Sequence, residues 1–259
     1  MVADHGLSVR EACRAARLAR SAYYAPVIRR DDGPEIEAIQ SYIAENQRHG
    51  FDKLYPVVRR QGFGKHRLYR VYKALGMNLK RKGKRRLPAR IKTPLMVPGA
   101  ANEVWSIDFM SDALWSGRRF RTFNVLDDYN REALRIEIDT SLPSARIARA
   151  LDELVELRGP PRRLRMDNGP ELISDTLAKW ASRHKIELLF IQPGKPMQNG
   201  YIERFNRTYR EEVLNCYIFE TLAEVRRMTA DWLTRYNEHR PHESLGNLTP
   251  KEYLMAKST

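Results

Sequence analysis

At 259 residues, 42% of them hydrophobic, the chain can bury a core large enough for one medium domain and one or two small ones, which excludes a disordered polymer. Its formal charge of +14 points to a polyanionic partner, nucleic acid or an anionic surface. A membrane is the weaker of these, because there is no apolar run long enough to span one and no signal-peptide core at the N-terminus, so the cytoplasm is the expected compartment.

Taken in order, Ser8-Val9-Arg10-Glu11 has the form of a capping box, in which the Ser hydroxyl and the Glu carboxylate satisfy unpaired N–H groups of a first helical turn. Val9, Ala12, Cys13 and Ala16 then share one helix face, Arg17-Leu18-Ala19 makes a tight turn, and Ser21-Ala22-Tyr23-Tyr24 opens a second helix. Residues 1–30 read as a helix-turn-helix-like segment, although two short alanine-bearing helices also occur without any DNA to bind.

Asp31-Asp32-Gly33-Pro34 is a break, with Pro34 suited to the first turn of a helix carrying Ile36, Ile39, Tyr42 and Ile43 and ended by His49-Gly50. Two more helices are expected over about 53–60 and 65–75, parted by Gln61-Gly62-Phe63-Gly64 and stopped by Gly76. Residues 48–92 hold sixteen Lys and Arg against one acid, Asp52, so the rest of the chain is close to neutral. The run Lys80-Arg81-Lys82-Gly83-Lys84-Arg85-Arg86 could by itself be a solvated linker. Joined to Arg67, Arg70 and Lys73 beside Tyr69 and Tyr72, it points to phosphate contact through Arg67, Arg70, Lys73, Arg81, Lys82, Arg85 and Arg86. Residues 31–87 are therefore read as a basic helical DNA-binding module, and the prolines of 88–102 as a linker.

From Glu103 the texture changes. Strands are expected over 104–110, 120–126 and 133–138, the first two joined by a turn at Ser116-Gly117-Arg118. Ser141 is expected to cap a helix with Pro143 in its first turn and Ile147, Leu151, Leu154 and Val155 buried, ending at Gly159-Pro160. A strand through Leu164 and Met166, a helix over 174–184, a strand over 187–191 and a helix over 198–213 follow. This order is that of the ribonuclease H-like fold: an α/β core over 103–215 with a mixed five-stranded sheet and flanking helices, preceded by small all-α DNA-binding modules. Residues 216–259 form a C-terminal helical extension, with a helix over 222–236 and a short last helix capped by Thr249.

Asp108 sits inside the apolar run Val104-Trp105-Ser106-Ile107-Asp108-Phe109-Met110, where a carboxylate is costly to bury without a compensating cation, and a pair of metal ions is the expected one. Two more acids, Asp167 and Glu203, stand at the edges of regular elements with thirty-five residues between them. On the helix over 198–213, Ile202, Phe205, Tyr209 and Val213 make the apolar face, which puts Asn199, Glu203, Asn206, Arg207 and Arg210 on the polar side, able to touch phosphate or base. The acid pair Asp127-Asp128 is read as a turn or a salt bridge to Arg131, and Glu171 as a helix-start residue. Cys13 and Cys216 lie outside any Cys/His cluster and are read as small buried thiols, with no zinc site and no metal at His239 or His242.

Four motifs in order carry a resemblance: Trp105-Ser106-Ile107-Asp108-Phe109; Asp167-Asn168-Gly169-Pro170-Glu171; Pro196-Met197-Gln198-Asn199-Gly200-Tyr201-Ile202-Glu203-Arg204-Phe205-Asn206; and Tyr236-Asn237 through Arg240-Pro241-His242 to Thr249-Pro250. With them the chain closely resembles, over essentially its whole length, the OrfB-type transposases of the IS-three group of bacterial insertion sequences. That group lies within the DDE superfamily that includes retroviral integrases.

The resemblance implies a DNA transposase with Asp108, Asp167 and Glu203 as its catalytic, metal-binding triad. Asn168 and Gly169 would shape the loop at the second acid, and Lys195 and Asn199 would lie against DNA near the cut strand. Asp108 would bridge two Mg²⁺, for which Mn²⁺ can substitute, with Asp167 and Glu203 holding one each. Water would nick double-stranded DNA at the terminal inverted repeats, and the freed 3′-OH would attack a second phosphodiester, first joining one end of the element to the other in a circular intermediate that is later inserted into target DNA. The resemblance further implies a homo-oligomer on DNA in the bacterial nucleoid, and an upstream-frame partner or fusion supplying a leucine zipper. No heptad run occurs here, so the chain is expected to be the downstream product, with Met1 not the start of the active protein. The turn at 61–65 is shorter than usual, and the His/His/Cys/Cys zinc module of retroviral integrases is missing, which favours the insertion-sequence branch. Two rivals are a DNA-binding regulator that has lost catalysis, against which the intact acids argue, and a ribonuclease H-type nuclease, which needs no end-recognition helices.

Overall fold

A computed structural model describes residues 2–25, 31–78, 97–169, 172–192 and 196–257. The N-terminal helices are α1 (Val2–His5), α2 (Val9–Ala15) and α3 (Arg20–Tyr24). The capping box forms: Glu11 N–H donates to Ser8 Oγ at 3.3 Å and Ser8 N–H to Glu11 Oε2 at 3.0 Å. Helices α4 (Gly33–Glu45), α5 (Phe51–Val58) and α6 (Lys65–Ala74) close around Ile39, Leu54, Val58, Leu68, Val71 and Tyr72. Gly62, at φ +91°, makes the turn between α5 and α6 that an L side chain would strain.

The core comprises β1 (Val104–Ala113), β2 (Arg119–Asp127), β3 (Ala133–Asp139), α7 (Ser144–Arg158), β4 (Arg163–Met166), α8 (Asp175–His184), β5 (Glu187–Phe190) and α9 (Gly200–Tyr209). The sheet runs β3-β2-β1-β4-β5, antiparallel across the first three and parallel across the last three. Alternation along the strands divides the core. Trp105, Ile107, Phe123, Val125 and Leu164 face α7 and α8, whereas Met110, Phe120, Leu126 and Ile138 face α9 and the C-terminal helix α10 (Leu222–Glu238).

Two local expectations are corrected. Pro143, not Ser141, occupies the cap position of α7, because a residue preceding proline is kept out of the helical region and Leu142 cannot open the helix. The single helix expected over 198–213 is three pieces: a 3₁₀ turn (Pro196–Asn199), α9, and a π-helical turn (Arg210–Leu214) in which Asn215 N–H donates to Arg210 C=O at 2.8 Å. Beyond it, a capping box of Thr221 and Glu224 opens α10, and Thr249 caps α11 (Pro250–Lys257) by accepting from Glu252 N–H at 3.1 Å.

The N-terminal helices dock on the far half of the chain. Arg60 grips Glu252 with both amino groups, Arg235 donates to the Glu45 carbonyl at 3.0 Å, and His49 Nε2 meets Glu212 Oε1 at 3.1 Å. Glu212 lies half-buried at the centre of this contact and also accepts from Trp232 Nε1 at 3.0 Å and Arg240 Nη2 at 3.0 Å. No helix among the described residues is long and apolar enough to cross a membrane.

Candidate active site

Parallel pairing sets Ser106 of β1 opposite Arg165 of β4, and carrying that register two residues on places Asp108 beside Asp167 on the same side of the sheet. Helix α9 crosses that side over β1 and β2 and brings Asn206 to Asp108. The Asn206 amide donates to Asp108 Oδ2 at 2.7 Å, while Asn124, the cross-strand neighbour of Asp108 on β2, donates to Asn206 Oδ1 at 2.7 Å. Phe109 N–H donates to Asp108 Oδ1 at 2.8 Å, so the carboxylate is held from two sides. Burial pushes Asp108 up to about 6; the Phe109 N–H and the Asn206 amide oppose that rise, and the negative charge of Asp167 and Glu203 adds to it.

Asp167 caps its own loop by accepting Gly169 N–H at 3.0 Å, and Asn168 ties the loop to the end of β5 by donating to the Ile191 carbonyl at 3.1 Å. Glu203 projects, exposed, from the first turn of α9. Three acids at one mouth are what the sequence suggests. The structure sets two side by side and leaves the third within their electrostatic field: among the described residues, no three acidic, His or Cys side chains converge closely enough to hold an ion. The donors are all hard carboxylate oxygens, in a pocket whose charge disfavours ionisation of its innermost acid, and such a set suits Mg²⁺.

The other candidates fall in three groups. Arg81, Lys82, Arg85, Arg86, Lys195 and Glu171 lie outside the described residues. Asn199 and Asn206, read as outward and polar, are buried instead, because α9 lies across two strands and the sheet covers the flank beside its apolar stripe. On that helix Arg207 is exposed, and Arg210 beyond it pairs with Asp112 at 3.2 Å. On α6, Arg67 pairs with Glu35 at 2.7 Å and Arg70 with Asp32 at 2.6 Å, while Lys73 stands 6.0 Å from the Tyr69 ring. The acids that meet these arginines lie just upstream of residue 48, so a count over 48–92 leaves them out although folding brings them back.

Asp128 pairs with Arg165 at 2.7 Å and not with Arg131, whose guanidinium stacks on Tyr201 at 3.5 Å. Cys13 is buried, but Cys216 is only half-buried. Asn124 and Glu212 were not singled out from the sequence. Asn124 had a signal, since it is a polar residue interrupting the apolar run of β2 much as Asp108 interrupts that of β1.

Comparison with known proteins agrees with this fold. The integrase core domain family matches residues 98–196 and again 184–250. The uncharacterized 31.7 kDa protein of insertion element IS407 from Burkholderia multivorans is 41% identical over 95% of this chain and 90% of its own length. Transposase InsD of insertion element IS2D from Escherichia coli is 24% identical over 88% of this chain and 80% of its own length. Among solved structures, a chain of the simian T-cell lymphotropic virus intasome in complex with the PP2A regulatory subunit B56 gamma superposes with a TM-score of 0.52 at 13% identity, covering 86% of this chain and 74% of that one. At that identity the likeness speaks for the fold.

Proposed function

The chain belongs to the insertion-element transposases that share an integrase core domain, and from that premise we propose that one site, built on Asp108, Asp167 and Glu203, both nicks the ends of its element and joins them to a second DNA. The observation that carries the assignment is Asp108 itself, a half-buried carboxylate fixed by a backbone N–H and by Asn206 and set in the field of two other acids. Asp128 is met by Arg165, whereas Asp108 is met by amide groups and by the like charge of two other acids.

Asp108, Asp167 and Glu203, the last exposed on its helix, would hold the divalent cations through their carboxylate oxygens. When bound, two Mg²⁺ or Mn²⁺ supply a deprotonated attacking oxygen and stabilise the leaving 3′-oxygen. Asn206 keeps Asp108 from turning away, and Asn124 keeps Asn206 from doing so. In the first reaction water breaks the bond to the 3′-oxygen; in the second the freed 3′-OH forms a new phosphodiester as another 3′-oxygen leaves. Bond number is conserved in the second, so no oxidant, nucleotide or covalent enzyme intermediate is needed. The partners in this reading are the terminal inverted repeats, a target duplex and further copies of the chain, with an upstream-frame product as a possible helper.

Incubation of the full chain with Mg²⁺ and terminal-repeat duplex tests the reading. Asp108→Asn, Asp167→Asn and Glu203→Gln should each slow nicking and joining by about three orders of magnitude, near 4 kcal/mol of barrier, while DNA binding persists. Binding with no reaction by the unaltered chain would favour a regulator, and nicking of any duplex without joining a nuclease.

A further inference from the structure

The hairpin between β1 and β2 holds an aromatic ring out in solvent. Gly117 N–H donates to the Leu114 carbonyl at 2.8 Å, Leu114 N–H to that of Arg118 at 3.0 Å, and Trp115 N–H to that of Phe219 at 2.7 Å. Gly117 takes φ +80°, as this three-residue turn requires, and Leu114 is buried beneath it. With its backbone so fixed, Trp115 is still 75% exposed, and Ile218, next to its hydrogen-bond partner, is 74% exposed. Single exposed apolar side chains are ordinary, but a tryptophan pinned outward on a tight turn is already ordered for contact.

Its neighbours set the chemistry of that contact. Arg118 and Arg119 are exposed and have no acidic partner among the described residues. Asp112 is taken by Arg210, and Glu224 is occupied in the α10 cap, which leaves Glu220 to set against the two arginines. A second copy of the chain could cover the tryptophan but would strand the arginines. A duplex uses both, phosphates for the arginines and, for the ring, the groove wall or a base step wedged open. Phosphates and sugars can satisfy two arginines whatever the bases between them, so the grip we assign here is to backbone and is indifferent to sequence.

Position decides which duplex. The tip lies at the start of α10, whereas α4 and the loop at His49 meet the core toward the helix's other end, at Trp232, Arg235 and Arg240, and α10 is about 25 Å long. The hairpin thus stands clear of the N-terminal helices and is free to meet a duplex that they do not hold. Trp115 is seven residues beyond Asp108 and two past the end of β1, at most about 23 Å away, or up to roughly seven base-pair steps.

We propose that the hairpin tip, Trp115 with Arg118 and Arg119, is a sequence-independent grip on target duplex within about seven base pairs of the phosphate being joined. This rests on the transposase reading above. For the full chain and a repeat-free duplex, Arg118→Ala with Arg119→Ala should flatten the slope of log K against log salt by about two units. Trp115→Ala should weaken binding about tenfold with the slope kept, and Trp115→Phe should restore most of it. In joining assays the ratio of joined to nicked product should fall about tenfold in both variants.

Unchanged affinity and slope would overturn the proposal. So would a loss confined to terminal-repeat duplex, which would place the hairpin on the element end. A smaller assembly in sedimentation, with unaltered affinity for DNA, would make the patch a contact between copies. If the unaltered chain grips repeat-free duplex through these residues yet neither nicks nor joins with Mg²⁺, the transposase reading fails and the grip stands.

Discussion

Asn206 illustrates how a side chain's role can differ from its helical position. Three residues beyond Glu203, it belongs by periodicity to the polar side of α9, but the sheet covers that flank and turns it onto Asp108. Removing it would free one oxygen of Asp108 and leave the buried Asn124 amide without its acceptor. Asn206→Ala should cost about 1–3 kcal/mol of stability and slow the reaction by more than that loss explains. Comparing kcat at full saturation with DNA against the fraction folded by circular dichroism checks this; a rate that follows the folded fraction alone would reduce Asn206 to a packing residue. The acids were legible because a charge in an apolar run, and acids at element edges, need a reason. The orienting amides were not, because an uncharged Asn on a helix flank reads the same whether it faces water or a strand.

At the scale of elements, strands and helices followed from alternation, turns and caps, and the errors fell where one local rule overrode another. The preference of the residue before proline moved the start of α7, and an extra residue in the helical ladder split the last helix of the core. Helix α10 packs against β3 and α11 and carries Trp232 and Tyr236 into the core behind α9, so its stability bears on the site. Its capping box joins Thr221 Oγ to Glu224 N–H at 3.2 Å. Thr221→Ala should therefore cost about 1 kcal/mol, and a chain of this size should melt about 2–4 °C lower. Thr221→Ser should melt close to the unaltered protein, and a full loss with Ser would point to the methyl group instead of the cap.

For the whole molecule, the order of strands and helices was enough to indicate the architecture, but the way its parts hold together was not legible. His49 and Glu212 are 163 residues apart, and their contact is made by polar groups that leave no periodic trace. Burial pushes His49 below its usual range, so near neutral pH it meets Glu212 as an uncharged donor and Arg240 supplies the balancing charge. Burial opposes ionisation of Glu212, but the His49 and Arg240 contacts outweigh it and bring the carboxyl down to about 2 from an ordinary 4.5. A lowered carboxyl stabilises the fold fully above its unfolded value and loses that contribution as pH falls through the folded one. Glu212→Gln should thus cost about 3 kcal/mol in urea unfolding at pH 7, and the gap from the unaltered protein should narrow below pH 4.5. A gap that stays constant with pH would assign the loss to packing.

Glu212 reaches this junction from within the π-helical turn, where five residues occupy a loop of ladder that an ordinary helix closes with four. Shortening the chain by one residue there would restore the regular repeat and swing everything downstream by about 100° relative to α9. Composition, net charge and both flanking apolar stripes would barely change. The N-terminal helices would nonetheless lose their seat on Glu212, so for this protein a one-codon deletion is a sharper instrument for uncoupling its two halves than any charge reversal.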